Sequence, residues 1–224
     1  MISKQLLITA FCAILMAAPA ARAQTISTDV PKKIDASEKY LFYLHGGIVG
    51  AKGPENAVSE YYGRYEYQKI LDALKTKGFH VIAEVRPKDT KEDEYAKELK
   101  KKIKRLLKAG VPEENITVVG ASLGAYIAVE TAEKLRKKDV KYALLGLCSK
   151  YAVGYYAKFK GKLRGNFLSI YEDSDEKKSC KEIFTPLNRN AQFREIKLEM
   201  GNSHAFLYEP FDDWILPLVA WSAN

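Results

Sequence analysis

Ile116-Thr117-Val118-Val119-Gly120-Ala121-Ser122-Leu123-Gly124 is the stretch on which the reading of this fold turns. Its first four residues read as a buried strand, and beyond Gly124 the residues Ile127, Thr131 and Leu135 recur at helical spacing. Glu133, Lys134, Arg136, Lys137 and Lys138 supply that helix with a polar face and a basic last turn. A serine on so tight a turn from strand to helix is held in strained backbone geometry. Glycines two residues to either side let strand and helix approach without a Cβ clash. The hydroxyl is pushed out of the sheet, at the positive end of a helix dipole. Gly-x-Ser-x-Gly alone also fits an ordinary turn whose serine caps the helix. The apolar strand before it and the amphipathic helix after it favour the exposed hydroxyl.

Outward from this turn, short apolar runs alternate with helical patterns, which predicts an α/β domain with a mostly parallel sheet. Tyr40 to Leu44 form the first strand, ending in His45-Gly46-Gly47. A helix bearing Ile70, Leu71 and Leu74 is stopped by Gly78, Phe79 to Val85 form the next strand, and Glu92 to Ala109 a strongly periodic helix closed by Gly110. After the serine turn come strands at Tyr142 to Leu147 and Phe167 to Tyr171, and an alternating edge strand through Ile196, Leu198 and Met200. An amphipathic segment carrying Trp214, Leu218 and Trp221 closes the chain. There is room for one domain only, so any lid is small, and residues 149–165 are its candidate.

The chain begins like a secretory signal: Lys4, an apolar stretch from Leu6 to Ala18, and the small-x-small site Ala21-Arg22-Ala23 before Gln24. We read residues 1–23 as signal peptide, 24–38 as an N-terminal linker and 39–224 as the domain. The apolar stretch is short for a membrane span, and Cys12 lacks the small-residue context of a lipoprotein box, so the expectation is a periplasmic or secreted protein with no stable membrane anchor. The net charge of +8 falls to six without Lys4 and Arg22. Much of it lies on helical faces such as Lys100, Lys101, Lys102, Lys104 and Arg105, which read as solvated rather than as a nucleic-acid surface. Processing leaves Cys148 and Cys180 in an oxidising compartment, where a disulfide between them is expected, two buried thiols being the alternative.

An activated serine needs a base, and the chain has three histidines. His80 lies inside a strand, where a sheet-face role is expected. His45 ends the first strand beside two glycines, where its backbone is expected to matter more than its ring. His204, in the loop Gly201-Asn202-Ser203-His204, lies on the same sheet edge as the serine and is the best base. The imidazole needs a carboxylate to fix its tautomer. Glu172-Asp173-Ser174-Asp175-Glu176 follows a later strand, and Asp175 is preferred, with Asp173 as competitor and a solvated acidic turn expected for the others. Oxyanion donors are expected at the backbone amide of Leu123 and at Gly47 or Ile48.

The order of these parts resembles the α/β-hydrolase family: a His-Gly-Gly loop after an early strand, a Gly-x-Ser-x-Gly nucleophile elbow, an acid after a later strand, and a histidine near the end. The segment Leu168-Ser169-Ile170-Tyr171 with Asp175 and Cys180 is similar in particular to small, capless bacterial members. The family's acid commonly follows a hydrophobic-Gly-x-x-Asp pattern. Here Glu172 replaces the glycine, which favours Asp175 over Asp173. The resemblance implies a three-layer α/β-hydrolase fold with a mostly parallel central sheet. It also implies that Cys148 and Cys180 both lie near the catalytic edge, where a bridge would pin the acid loop.

Together these features lead to the expectation of a serine hydrolase acting on a small-molecule ester or acyl substrate through Ser122, His204 and Asp175. Thioesters and peptides are within reach of the same machinery, and a binding protein that keeps the scaffold without turnover is the rival. No His/Cys/Asp cluster has metal-ligand spacing, so neither metal nor organic cofactor is expected. Tyr61, Tyr62, Tyr65, Tyr67, Tyr151, Tyr155 and Tyr156 either line an aromatic or sugar-accommodating pocket or pack half-buried.

Overall fold

The computed structural model describes residues 25–159, 161–184 and 191–223; the signal-peptide reading falls outside them. A seven-stranded sheet holds β1 (Ile26–Ser27), β2 (Lys39–Leu44), β5 (Phe79–Ile82), β6 (Ile116–Ala121), β7 (Lys141–Leu145), β8 (Gly165–Glu172) and β9 (Ala191–Leu198). Their order is β1-β5-β2-β6-β7-β8-β9, and each adjacent pair is parallel. A small antiparallel hairpin of β3 (Val58–Ser59) and β4 (Gly63–Arg64) stands apart from it.

Parallel strands need crossovers, and the helices that provide them cover both faces of the sheet. Tyr40, Phe42 and Leu44 of β2 pack with α3 (Glu92–Lys108), α4 (Leu123–Leu135) and α5 (Lys150–Tyr156). The alternate residues Leu41 and Tyr43 pack with α1 (Gly47–Lys52), α2 (Tyr67–Thr76) and α7 (Asp212–Ala223) on the other face. A one-turn helix, α6 (Lys181–Phe184), packs near α5. The result is three layers with a core on each side of the sheet.

Several boundaries differ from the sequence reading. Ile26 and Ser27, assigned to a linker, pair with Val81 and Ile82 as the edge strand, and Val30 is buried in the core. Two strand residues are too few to display a period. The strand starting at Phe79 stops at Ile82 rather than Val85, and the one expected to reach Leu147 stops at Leu145, where Gly146 takes φ +60°. Helix α4 ends at Leu135, with Arg136 in the left-handed conformation as its cap, so Lys137 and Lys138 are not its last turn. Nor is α4 half-solvated: α3 covers it, and Glu130 and Thr131 are buried.

The two glycines of the serine turn are dictated by contact. A Cβ on Gly120 would lie 2.4 Å from the Gly124 carbonyl oxygen, and one on Gly124 would lie 2.0 Å from the carbonyl oxygen of Leu44. Strand β6, helix α4 and strand β2 meet there with no space for a methyl group.

Candidate active site

Ser122 sits between β6 and α4 with φ 51° and ψ −113°, a left-handed backbone that a serine adopts only under constraint. The constraint is visible in its hydrogen bonds. Its N–H donates to the Leu145 carbonyl at 2.9 Å, and its own carbonyl accepts from Ala125 at 2.9 Å. The hydroxyl is thereby turned out above the carboxyl end of the sheet.

His204 arrives from the loop after β9. Its Nε2 lies 3.0 Å from Ser122 Oγ, and its Nδ1 lies 2.6 Å from Asp175 Oδ2. Asp175 is 1% exposed, and its Oδ1 also accepts the Lys177 N–H at 3.2 Å. The carboxylate holds the proton on Nδ1, which leaves Nε2 unprotonated and facing the serine. Asp173 points elsewhere: it is exposed, with its carboxylate 3.9 Å from Lys197. Of the two acids offered by the sequence, Asp175 is the one brought to His204.

Glu172 was read as part of a solvated turn, and the structure corrects this. Its side chain is fully buried, and it accepts five hydrogen bonds. Oε2 takes the N–H groups of Asp173 (2.8 Å) and Met200 (3.2 Å), while Oε1 takes the N–H of Ser174 (3.2 Å), the hydroxyl of Ser174 (2.7 Å) and the N–H of Gly201 (3.0 Å). Ser174 Oγ in turn accepts from Ser203 N–H at 2.9 Å. Burial alone would raise the Glu172 pKa, but these donors outweigh it and hold the carboxyl below its ordinary value. One buried carboxylate therefore joins the loop carrying Asp175 to the loop carrying His204. No local pattern signals this, because two of its five donors lie nearly thirty residues away.

Cys148 and Cys180 are joined by a disulfide, with Cα atoms 5.3 Å apart. The bond closes the acid loop against the end of β7, where Lys178 N–H also donates to the Cys148 carbonyl at 2.8 Å. Glu195 of β9 braces the far side, accepting from Ser179 Oγ at 2.7 Å and Cys180 N–H at 2.6 Å.

The His-Gly-Gly loop is also held from beneath. Arg86 N–H donates to His45 Nε2 at 2.8 Å, so the ring proton lies on Nδ1 and is donated to the Gly46 carbonyl at 2.8 Å. The Arg86 guanidinium donates to the His45 carbonyl as well. Burial, and secondarily the Arg86 charge, push the His45 pKa down to about 4, so the ring stays neutral near pH 7. The ring of His45 thus matters as much as its backbone, a correction to the sequence reading. Arg86 itself, 1% exposed, has no hydrogen-bond partner at Nε or Nη1, and no ion pair among the described residues includes it. With the Gly46 carbonyl so engaged, Gly47 and Ile48 start α1, and Leu123 starts α4. First-turn N–H groups have no acceptor within their helix. A Cβ on Gly47 would touch Leu123 Cδ2 at 3.6 Å, which puts the two helix starts side by side.

The remaining candidates divide. His80 bonds Thr25, Ser27 and Glu38 at the sheet's other end of the strand order, away from this cluster. Tyr65 and Tyr67 are buried packing, Tyr65 sharing a 2.5 Å hydrogen bond with Tyr43. Tyr62 lies with its ring 5.8 Å from that of His204, and Tyr61 is 87% exposed. Among the described residues no group of three or more His, Cys, Asp or Glu is placed to hold a metal ion.

No family model matches the chain, nor does any curated protein sequence. Solved structures do. The chain is similar to a Klebsiella pneumoniae protein described as a dienelactone hydrolase (TM-score 0.59, 15% identity, 87% of this chain and 90% of that one). It is also similar to a monoacylglycerol lipase from Paleococcus ferrophilus (TM-score 0.54, 13% identity, 84% and 95%) and to SOBER1 from Arabidopsis thaliana (TM-score 0.53, 12% identity, 84% and 98%). The fold of the chain is the α/β-hydrolase fold.

Proposed function

We propose that this protein is a secreted or periplasmic serine hydrolase that cleaves carboxylic esters through an acyl-enzyme. The observation that carries the reading is the unbroken hydrogen-bonded line from Asp175 through His204 to Ser122, at 2.6 and 3.0 Å. Ser122 Oγ attacks the acyl carbonyl as His204 Nε2 takes its proton, and Asp175 stabilises the imidazolium that forms. His204 then gives that proton to the departing alcohol. Water, activated by the same nitrogen, cleaves the acyl-enzyme and restores Ser122.

The negative oxygen of each tetrahedral intermediate is held by the N–H of Leu123 and by that of Gly47 or Ile48. A single such donor lowers the barrier by about 3 kcal/mol. The N–H of Ser122 is already committed to Leu145, which supports the start of α1 after the His-Gly-Gly loop as the source of the second donor. Two of the similar structures are described as a lipase and a dienelactone hydrolase, which agrees with hydrolysis of an acyl-oxygen bond. Export is supported by the N-terminal sequence pattern and by the disulfide, which persists in oxidising compartments.

Hydrolysis of p-nitrophenyl acetate and butyrate by the purified mature protein tests the reading. Turnover that disappears in Ser122→Ala and in His204→Ala is expected; turnover unaffected by either substitution would overturn it.

A further inference from the structure

A cavity of about 280 Å3 is lined by Leu123, the residue that follows Ser122, and its walls are largely tyrosine. Leu123, Tyr126 and Glu130 of α4 form one side, and Tyr151, Tyr155 and Tyr156 of α5 form the other. The rings brace one another: Tyr126 and Tyr156 have centroids 5.8 Å apart, Tyr155 and Tyr156 meet edge to face at 5.0 Å, and Tyr151 stacks on Tyr155 at 5.9 Å. Tyr155 OH donates to the buried Glu130 carboxylate at 3.0 Å, and Tyr156 OH to the Tyr126 carbonyl at 3.3 Å. The segment expected to act as a lid is therefore the wall of a formed pocket.

Resting on the ester-hydrolase reading above, we infer that this cavity receives the acyl part of the substrate, and that the acyl groups it selects end in an aromatic ring. The leaving oxygen must lie at His204 Nε2 to be protonated, and the ring neighbours of His204 are Tyr62 and Phe206, neither of which lines the cavity. Leu123 does line the cavity, and its Cδ2 lies 3.6 Å from where a Cβ on Gly47 would stand, on the oxyanion side. The acyl group points that way.

Size and chemistry choose the ring. An apolar cavity of about 150 Å3 accepts benzene, so the volume here takes one ring and a short linker. Tyrosine walls offer faces and edges to such a ring, and the carboxylate of Glu92 complements its positive edge. A long alkyl chain gains no such contacts. A cation is disfavoured, because Lys158 already covers the Tyr155 face at 3.5 Å, and Lys134 and Lys158 stand 3.6 and 3.8 Å from Glu130.

The test compares kcat/KM for p-nitrophenyl 3-phenylpropionate and p-nitrophenyl hexanoate, which share a leaving group. A preference for the aryl ester of about five- to tenfold is expected, the range that favourable ring contacts supply. Tyr151→Ala and Tyr155→Ala should bring the aryl-to-alkyl ratio toward one, and Tyr155→Phe should keep it. Tyr151 is 69% exposed, so its truncation leaves the fold intact. Equal rates for the two esters in the wild type, or a ratio unmoved by both alanine variants, would overturn the inference while leaving ester hydrolysis standing. Calorimetric binding of 3-phenylpropionate against hexanoate to Ser122→Ala reads the cavity without turnover: tighter aryl binding supports the assignment even if no ester is cleaved, and equal binding sinks it.

Discussion

Glu172→Gln isolates the buried carboxylate that joins the loop carrying Asp175 to the loop carrying His204. The change keeps the shape and replaces one oxygen by an NH2 group. If the amide nitrogen takes the Oε2 position, the N–H groups of Asp173 and Met200 face a donor; in the Oε1 position, those of Ser174 and Gly201 do. Either way two backbone donors lose their acceptor. A buried donor so orphaned costs about 1–3 kcal/mol, giving about 2–6 kcal/mol in all. The loops then lose their common anchor, and displacement of a catalytic group by about 1 Å lowers rates by about a hundredfold. We therefore expect urea denaturation to show a loss near 4 kcal/mol, about the middle of that range. Ester hydrolysis should lose about ten- to a hundredfold in kcat with KM little changed. Because its donors depress the Glu172 pKa on folding, this stabilisation is present above the ordinary glutamate pKa and is lost as pH falls through the lowered value. A Glu172→Gln protein within about 1 kcal/mol of wild type and with unchanged kcat would refute the reasoning.

Other outcomes follow from the same geometry. Replacing Cys148 and Cys180 by serine reopens a loop with a sequence separation of 32, at a chain-entropy cost of about 3.5–4 kcal/mol. Thermal unfolding should shift accordingly, and kcat should fall because Asp175 lies inside that loop. His45 is pushed down to about 4 on folding from an unfolded value near 6.5. Its contribution is therefore complete above about pH 6.5 and is lost as pH falls through 4, about 3 kcal/mol in total. Denaturant titrations from pH 7 to 4 should show this slope, and His45→Asn, which cannot titrate, should flatten it. Asp175→Asn should lower kcat by about four orders of magnitude by leaving His204 in the wrong tautomer. Asp173→Asn should leave it nearly unchanged, and the reverse ranking would reassign the acid.

What the sequence makes legible depends on how local the physics is. The strands at Tyr40 to Leu44 and Ile116 to Val119 are continuous apolar runs because helices bury both faces of the sheet. The serine turn is legible because three backbones converge on Gly120 and Gly124, a demand only glycine meets. Ser122, His204 and Asp175 are legible as residue types in a fixed order at one sheet edge. Glu172 and Arg86 are not. A charged side chain is expected at the surface, and both are buried by partners that only the tertiary fold supplies. The tyrosines divide for a like reason: whether a ring packs or lines a cavity depends on how α5 lies against α4, which no spacing within either helix encodes. The edge strand at Ile26 escapes notice because two residues carry no period.

The central claim is that Ser122 is a nucleophile made reactive by His204 and Asp175. Intact-mass spectrometry of the purified protein after exposure to a fluorophosphonate tests it most directly. One covalent phosphonyl adduct is expected, mapped by peptide sequencing to Ser122, absent in Ser122→Ala and strongly slowed in His204→Ala. An unmodified mass, or an adduct on another residue that persists in Ser122→Ala, would contradict the account.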